Sequence, residues 1–128
     1  MLQHLADVLV QPLAELFRQL ATEPGVPAHW RNQAAFKEGK SLEKLSDIQG
    51  ALVTYYGVIE GGARPDLQHE FFWFYKAGFN AAHLLEEAKD WKSAAAVYRQ
   101  LAAIGGTRSE EAKTRLTQLR LEHFLWEE

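Results

Sequence analysis

Apolar positions along this chain recur at three- and four-residue spacings, with no sustained alternation of apolar and polar residues. β-Branched residues are few, and no Asn-Gly or Asp-Gly pair marks a hairpin. Ala, Leu, Glu, Lys, Gln and Arg dominate instead, all good helix formers. Breakers cluster at TEPGVPA (22–28), EGGARPD (60–66) and IGGTRSE (104–110), with weaker turns at LSDIQG (45–50) and AKDWKS (88–93). The segments between them predict six helices, roughly 2–21, 28–45, 48–60, 66–88, 91–104 and 109–126, and therefore an all-α fold. Asp66 and Ser109 are the expected N-caps, and the glycine pairs 61–62 and 105–106 the expected stops.

The run Phe71-Phe72-Trp73-Phe74-Tyr75 departs from simple amphipathicity, because five consecutive positions sweep the whole circumference of a helix. Three rows result: Phe71, Tyr75, Gly78 and Ala82; Phe74, Ala77, Ala81 and Leu85; Phe72, Lys76, Phe79 and His83. Lys76, Asn80, Glu86 and Glu87 follow too closely for a membrane contact, so the first two rows are expected to be core.

The chain also repeats itself. Shifted by 43 residues, segment 30–62 lies on 73–105 without a gap, with identities at Trp30/Trp73, Ala34/Ala77, Phe36/Phe79, Glu43/Glu86, Asp47/Asp90, Ala51/Ala94, Tyr55/Tyr98 and Gly62/Gly105. The matched residues Gly39, Leu42, Ile48, Ala51 and Tyr55, and again Ala82, Leu85, Trp91, Ala94 and Tyr98, resemble the tetratricopeptide repeat, over about residues 30–108. The small residue at 39 or 82 admits a closely packed helix, 51 or 94 is its small counterpart, and the tyrosine follows one turn later. Two features depart from the family pattern. Ala35 and Gly78 stand at the usual aromatic position of the first helix, and Ala63 and Gly106 replace the closing proline. HEAT-like and related helical repeats are the alternatives. The resemblance implies one domain of antiparallel helix-turn-helix units in a short right-handed solenoid. Residues 1–21 form an N-terminal helix, 28–62 and 66–106 two repeat units, and 109–128 a capping helix.

Composition narrows the classes of function. Net charge is −3, with no basic excess to hold phosphates, so nucleic acid is not expected as a partner. There is no cysteine, which removes thiolate metal sites and thiol nucleophiles. LADVLVQPLAELF, near the start, is interrupted by Asp7, Gln11, Pro12 and Glu15, unlike a signal sequence or a membrane span. The default expectation is a cytoplasmic protein without membrane insertion.

Catalytic patterns are sparse. The five histidines form no HExxH; His83 and Glu87, four apart, read as a solvated pair more readily than as a metal site. The GGAR and GGTR stretches follow no strand and precede no Gly-Lys-Ser/Thr, so they read as helix ends. Asp47 and Asp90 recur at the turn within each unit, where an acidic residue serves the next helix N-terminus. No enzyme, cofactor or metal is expected.

What remains is a surface. His29, Gln33, Phe36, Lys40 and Glu43 superpose on Phe72, Lys76, Phe79, His83 and Glu86. In tetratricopeptide proteins this side of each first helix lines the concave groove. The resemblance therefore implies a peptide-binding groove over Phe36, Lys37, Lys40, Lys44, Phe72, Lys76, Phe79, Asn80 and His83. The family's carboxylate clamp is not expected, because Phe36 and Phe79 stand where it needs polar groups. The competing expectation covers these phenylalanines with the first helix or another subunit. The expected function is protein or peptide binding. The alternative is self-association, as a homodimer, or capping of upstream repeats through the apolar end helices, which carry Leu5, Val8, Leu9, Leu13, Leu16, Phe17 and Leu20 at one end and Leu121, Phe124 and Leu125 at the other.

If the repeat is real, Ala51 and Ala94 lie at helix crossings. Ala51→Leu and Ala94→Leu should each lower stability by about 1–3 kcal/mol in chemical denaturation. Two unchanged midpoints would refute the repeat.

Overall fold

A computed structural model describes the backbone of residues 2–62 and 71–125. Among these residues there are six α-helices and no strand: α1 (Leu2–Thr22), α2 (Ala28–Lys44), α3 (Ile48–Gly62), α4 (Phe71–Glu87), α5 (Trp91–Ala103) and α6 (Ser109–His123). The expected start of the fourth helix, with its Asp66 cap, lies outside the described residues, as does Trp126.

Several helix ends differ from the sequence expectation for local reasons. α3 extends to Gly62, two residues past the expected end at 60, and the residues after it lie outside the described ones. Gly105, by contrast, takes φ 77° just beyond α5 and does end its helix. Ser109 is the first residue of α6 rather than its cap; Arg108 precedes it and forks onto Glu111 at 2.8 and 3.0 Å. α6 stops at His123 because Phe124 enters the left-handed region (φ 54°) and Leu125 N–H returns to the Arg120 carbonyl at 3.1 Å. α1 continues through Pro12.

The two helix pairs are closed by the same turn, bond for bond. Ser46 and Lys89 are left-handed, at φ 63° and 62°. Ser46 N–H donates to the Glu43 carbonyl at 2.9 Å and Asp47 N–H to Leu42 at 2.9 Å; Lys89 donates to Glu86 and Asp90 to Leu85 at the same distances. This pair of hydrogen bonds satisfies carbonyls that the ending helix would leave bare. The same aspartate then starts the next helix. Asp47 accepts from Gly50 N–H at 3.0 Å, and Asp90 from Ser93 N–H at 3.3 Å. Every one of these partners is 43 residues from its counterpart.

The chain divides into two compact units, Met1–Ala77 and Gly78–Glu128, with the division inside α4. In the first, α1 packs on α2 and α2 on α3. Ala34, Ala51, Tyr55, Val58, Ile59 and Phe74 are buried there. Gly39 allows the close approach of α2 and α3, since a Cβ at that position would overlap the Tyr55 ring. In the second unit α5 packs on α6, around buried Val97, Tyr98, Leu101, Ala112 and Leu119. The Trp91 and His123 rings stack there at 3.7 Å, joining the start of α5 to the end of α6. Along α4 the two rows expected to be core are buried apart from half-buried Phe71, whereas Phe72, Lys76 and His83 of the third row are exposed. Ala51 and Ala94 are both fully buried.

Two glycines of the first unit separate packing from helix propensity. Gly39→Ala should cost about 1–3 kcal/mol, because Tyr55 is enclosed and its ring cannot retreat. Gly57→Ala, where an added Cβ meets nothing within 4 Å, should gain about 0.5–1 kcal/mol through helix propensity alone. Urea midpoints of the two variants should move in opposite directions.

Candidate functional site

Each tyrosine that follows the repeated turn reaches back to the preceding helix. Tyr55 hydroxyl donates to the Glu43 carboxylate in the first unit. In the second, Tyr98 donates to Glu86 at 2.5 Å, and Arg115 of α6 pairs with the same carboxylate. Burial pushes the Glu86 carboxyl up, but the hydrogen bonds from Tyr98 and Arg115 outweigh it and hold the group below its ordinary value. The Tyr98 phenol is pushed well above its usual range by burial, with the Glu86 carboxylate adding to the effect. Phe36 and Tyr55 lie 5.9 Å apart between ring centres, and Phe79 and Tyr98 are again 5.9 Å apart.

The expected groove residues fall into local groups. In the first unit Phe36 is half-buried, Phe72 is 60% exposed, and Trp73 lies between them at 5.5 and 4.7 Å. The Lys76 ammonium sits 5.3, 5.2 and 5.8 Å from the Phe36, Phe72 and Trp73 rings. His29 and Trp30 extend this face: Trp30 is 57% exposed, His29 meets its ring edge-on at 5.0 Å, and His29 lies 6.3 Å from Trp73. The Trp73 indole N–H is buried within the cluster and has no hydrogen-bond partner there. Lys40 is exposed, 4.0 Å from Glu43. Lys44 is exposed one turn further along. Lys37 belongs elsewhere, over the Phe17 ring of α1 at 5.9 Å.

In the second unit Phe79 is 8% exposed, with the Arg108 guanidinium 4.1 Å above its ring. Phe79 and the exposed His83 line a cleft of about 290 Å³ with Tyr98, Thr114, Arg115 and Gln118. Asn80 is half-buried on the adjoining turn. Sequence reasoning missed the α6 contributors, and nothing in the spacing of Arg115 singles it out as a partner of Glu86. It matched Trp30 to Trp73 in the repeat without anticipating that one would be exposed and the other buried.

Among the described residues, no group of three His, Cys, Asp or Glu side chains is placed to hold a metal ion. No helix among them is long and apolar enough to cross a membrane. No protein-family model, curated protein or solved structure matches the chain.

The Glu86 linkage predicts an acid-side loss of stability. A carboxyl held below its unfolded value stabilises the fold above about pH 4.5, and that contribution disappears as the pH falls through the lower folded value. Glu86→Gln, which cannot pair with Arg115, should cost about 1–2 kcal/mol at pH 7 and clearly less at pH 3. Urea unfolding at the two pH values measures the difference. An equal cost at both would refute the linkage.

Proposed function

We propose that this chain is a non-enzymatic interaction module of tetratricopeptide-like repeats, belonging to a short right-handed solenoid, that binds a peptide or protein segment. The observation that carries the reading is the exposed aromatic face of the first unit. Two large rings there, Trp30 and Phe72, stand more than half open to solvent beside the partly open Phe36. Large exposed rings in one patch are the usual anchors of a recognition surface. The ionisable groups fit a scaffold. Glu43, Glu86, Asp47 and Asp90 are each engaged in holding a helix pair together, the arrangement expected of structural groups rather than of a catalytic pair.

A second reading, self-association, has its own support. Leu13, Leu16 and Leu20 of α1 are 47%, 51% and 45% exposed at helical spacing, and Leu121 and Phe124 near the other end are 65% and 75% exposed.

Panning a random 12-residue peptide library on the intact chain tests the first reading. Selected peptides should lose at least about tenfold in affinity to a Trp30→Ala/Phe72→Ala variant whose melting temperature is unchanged. Peptides that bind this variant as well as wild type, or no selection at all, would overturn it. Light scattering across a dilution series on the same protein reports on the second reading. A dimer dispersed by Leu16→Lys would establish it.

A further inference from the structure

The aromatic face carries a cation that no carboxylate among the described residues neutralises. Lys76 is exposed and its ammonium sits among three ring faces, within 5.2 to 5.8 Å of each. Ring quadrupoles hold such a group in place without cancelling its charge. Among the described residues Lys76 has no carboxylate partner. On the neighbouring stretch of α2, Lys40 and Lys44 are exposed. The carboxylate of that stretch, Glu43, already accepts the Tyr55 hydroxyl and has Lys40 at 4.0 Å. Counted over the described residues, the face is therefore apolar, aromatic and locally positive, in a chain whose net charge is −3.

From this charge pattern we infer that the ligand of the α2–α4 face is an acidic peptide segment: an Asp or Glu side chain next to an aromatic or large aliphatic one. The carboxylate meets the Lys76 ammonium, and the neighbouring side chain lies on Phe72 and Trp30. The pairing is favoured here because the rings fix the lysine before binding, so less side-chain freedom is lost when the carboxylate arrives. Apolar side chains packed around the pair also exclude water from it, which strengthens a charge-assisted hydrogen bond. A basic segment would place like charges together, and a purely apolar one would strip water from the ammonium with nothing in return.

This inference rests on the reading of the chain as a peptide-binding module, and the experiment separates the two. Peptides panned on the intact chain are resynthesised with amidated C-termini, so that any carboxylate belongs to a side chain. Their affinities are then measured on wild type, Lys76→Met, Lys76→Arg and Lys92→Met. Lys76→Met keeps the length and apolar stem of the side chain, and Lys92, exposed in the second unit, controls for a general loss of positive charge. The selected peptides should be rich in Asp and Glu beside Phe, Trp, Leu or Ile. They should bind about tenfold more weakly to Lys76→Met, with Lys76→Arg restoring most of the affinity and Lys92→Met changing it little. Affinity on wild type should also fall with added salt, and the Lys76→Met complex should respond less. Peptides that depend on Phe72 and Trp30 yet carry no acid, or that ignore Lys76→Met, would overturn the acidic ligand and leave the module standing. Failure to select any peptide would overturn both.

Discussion

A tyrosine hydroxyl given to a glutamate on the facing helix is the interaction around which each helix pair is organised. Tyr55 and Tyr98 are fully buried, so their hydroxyls must find an acceptor away from water. Glu43 and Glu86, twelve residues earlier and at the end of the preceding helix, supply it. That requirement fixes how the second helix of each pair lies along the first. It also explains the small residues around the ring. Gly39 has no side chain because the Tyr55 ring occupies the space a Cβ would need. In the second pair the matching position is Ala82, also fully buried. There the close approach has moved to Gly78, where a Cβ would overlap the Leu101 side chain.

The turn between paired helices imposes the second constraint. One aspartate ends a helix through its backbone N–H and begins the next through its side chain, so only three residues, one of them left-handed, separate the helices. Ser46 and Lys89 adopt that conformation although glycine would do so with less strain. The twofold bonding on either side holds them there. A connection this short leaves the two helices little choice but to pack antiparallel, which brings the tyrosine within reach of its glutamate. Turn and hydroxyl thus reinforce each other.

Much of this scaffold is legible in the sequence, because it depends on residue type at fixed spacing. The 43-residue shift found Glu43/Glu86, Asp47/Asp90, Ala51/Ala94 and Tyr55/Tyr98, the residues that form the turn and the buried hydrogen bond. What escaped depends on partners distant in sequence. Arg115 lies 29 residues from Glu86, and no periodicity connects them. A helix end escaped where a residue with a bulky side chain took the left-handed role, as at Phe124. On the aromatic face, Phe36, Phe72 and Lys76 were recognised from their common helical rows. Trp30 was not, because its register partner Trp73 is packed against Phe36 and His29 while Trp30 itself stays open.

On the proposed reading of the chain as a binding module, that divergence between equivalent positions is where its specificity would reside. A repeated scaffold makes the same backbone twice, so a recognition surface must come from residues the repeat does not dictate. Phe36 and Phe79 occupy matching places, and each lies 5.9 Å from its tyrosine. Yet Phe79 is closed over by Arg108, which the segment before α6 supplies and which Glu111 holds with two hydrogen bonds. Phe36 has instead the exposed Lys76 over its ring and keeps part of its surface open to solvent. One cation is locked to a carboxylate and serves as a lid; the other, among the described residues, is held by rings alone. The turn and the tyrosine–glutamate bond are shared by the two pairs, but among the described residues the first unit is where an aromatic surface and an ammonium without a carboxylate partner come together.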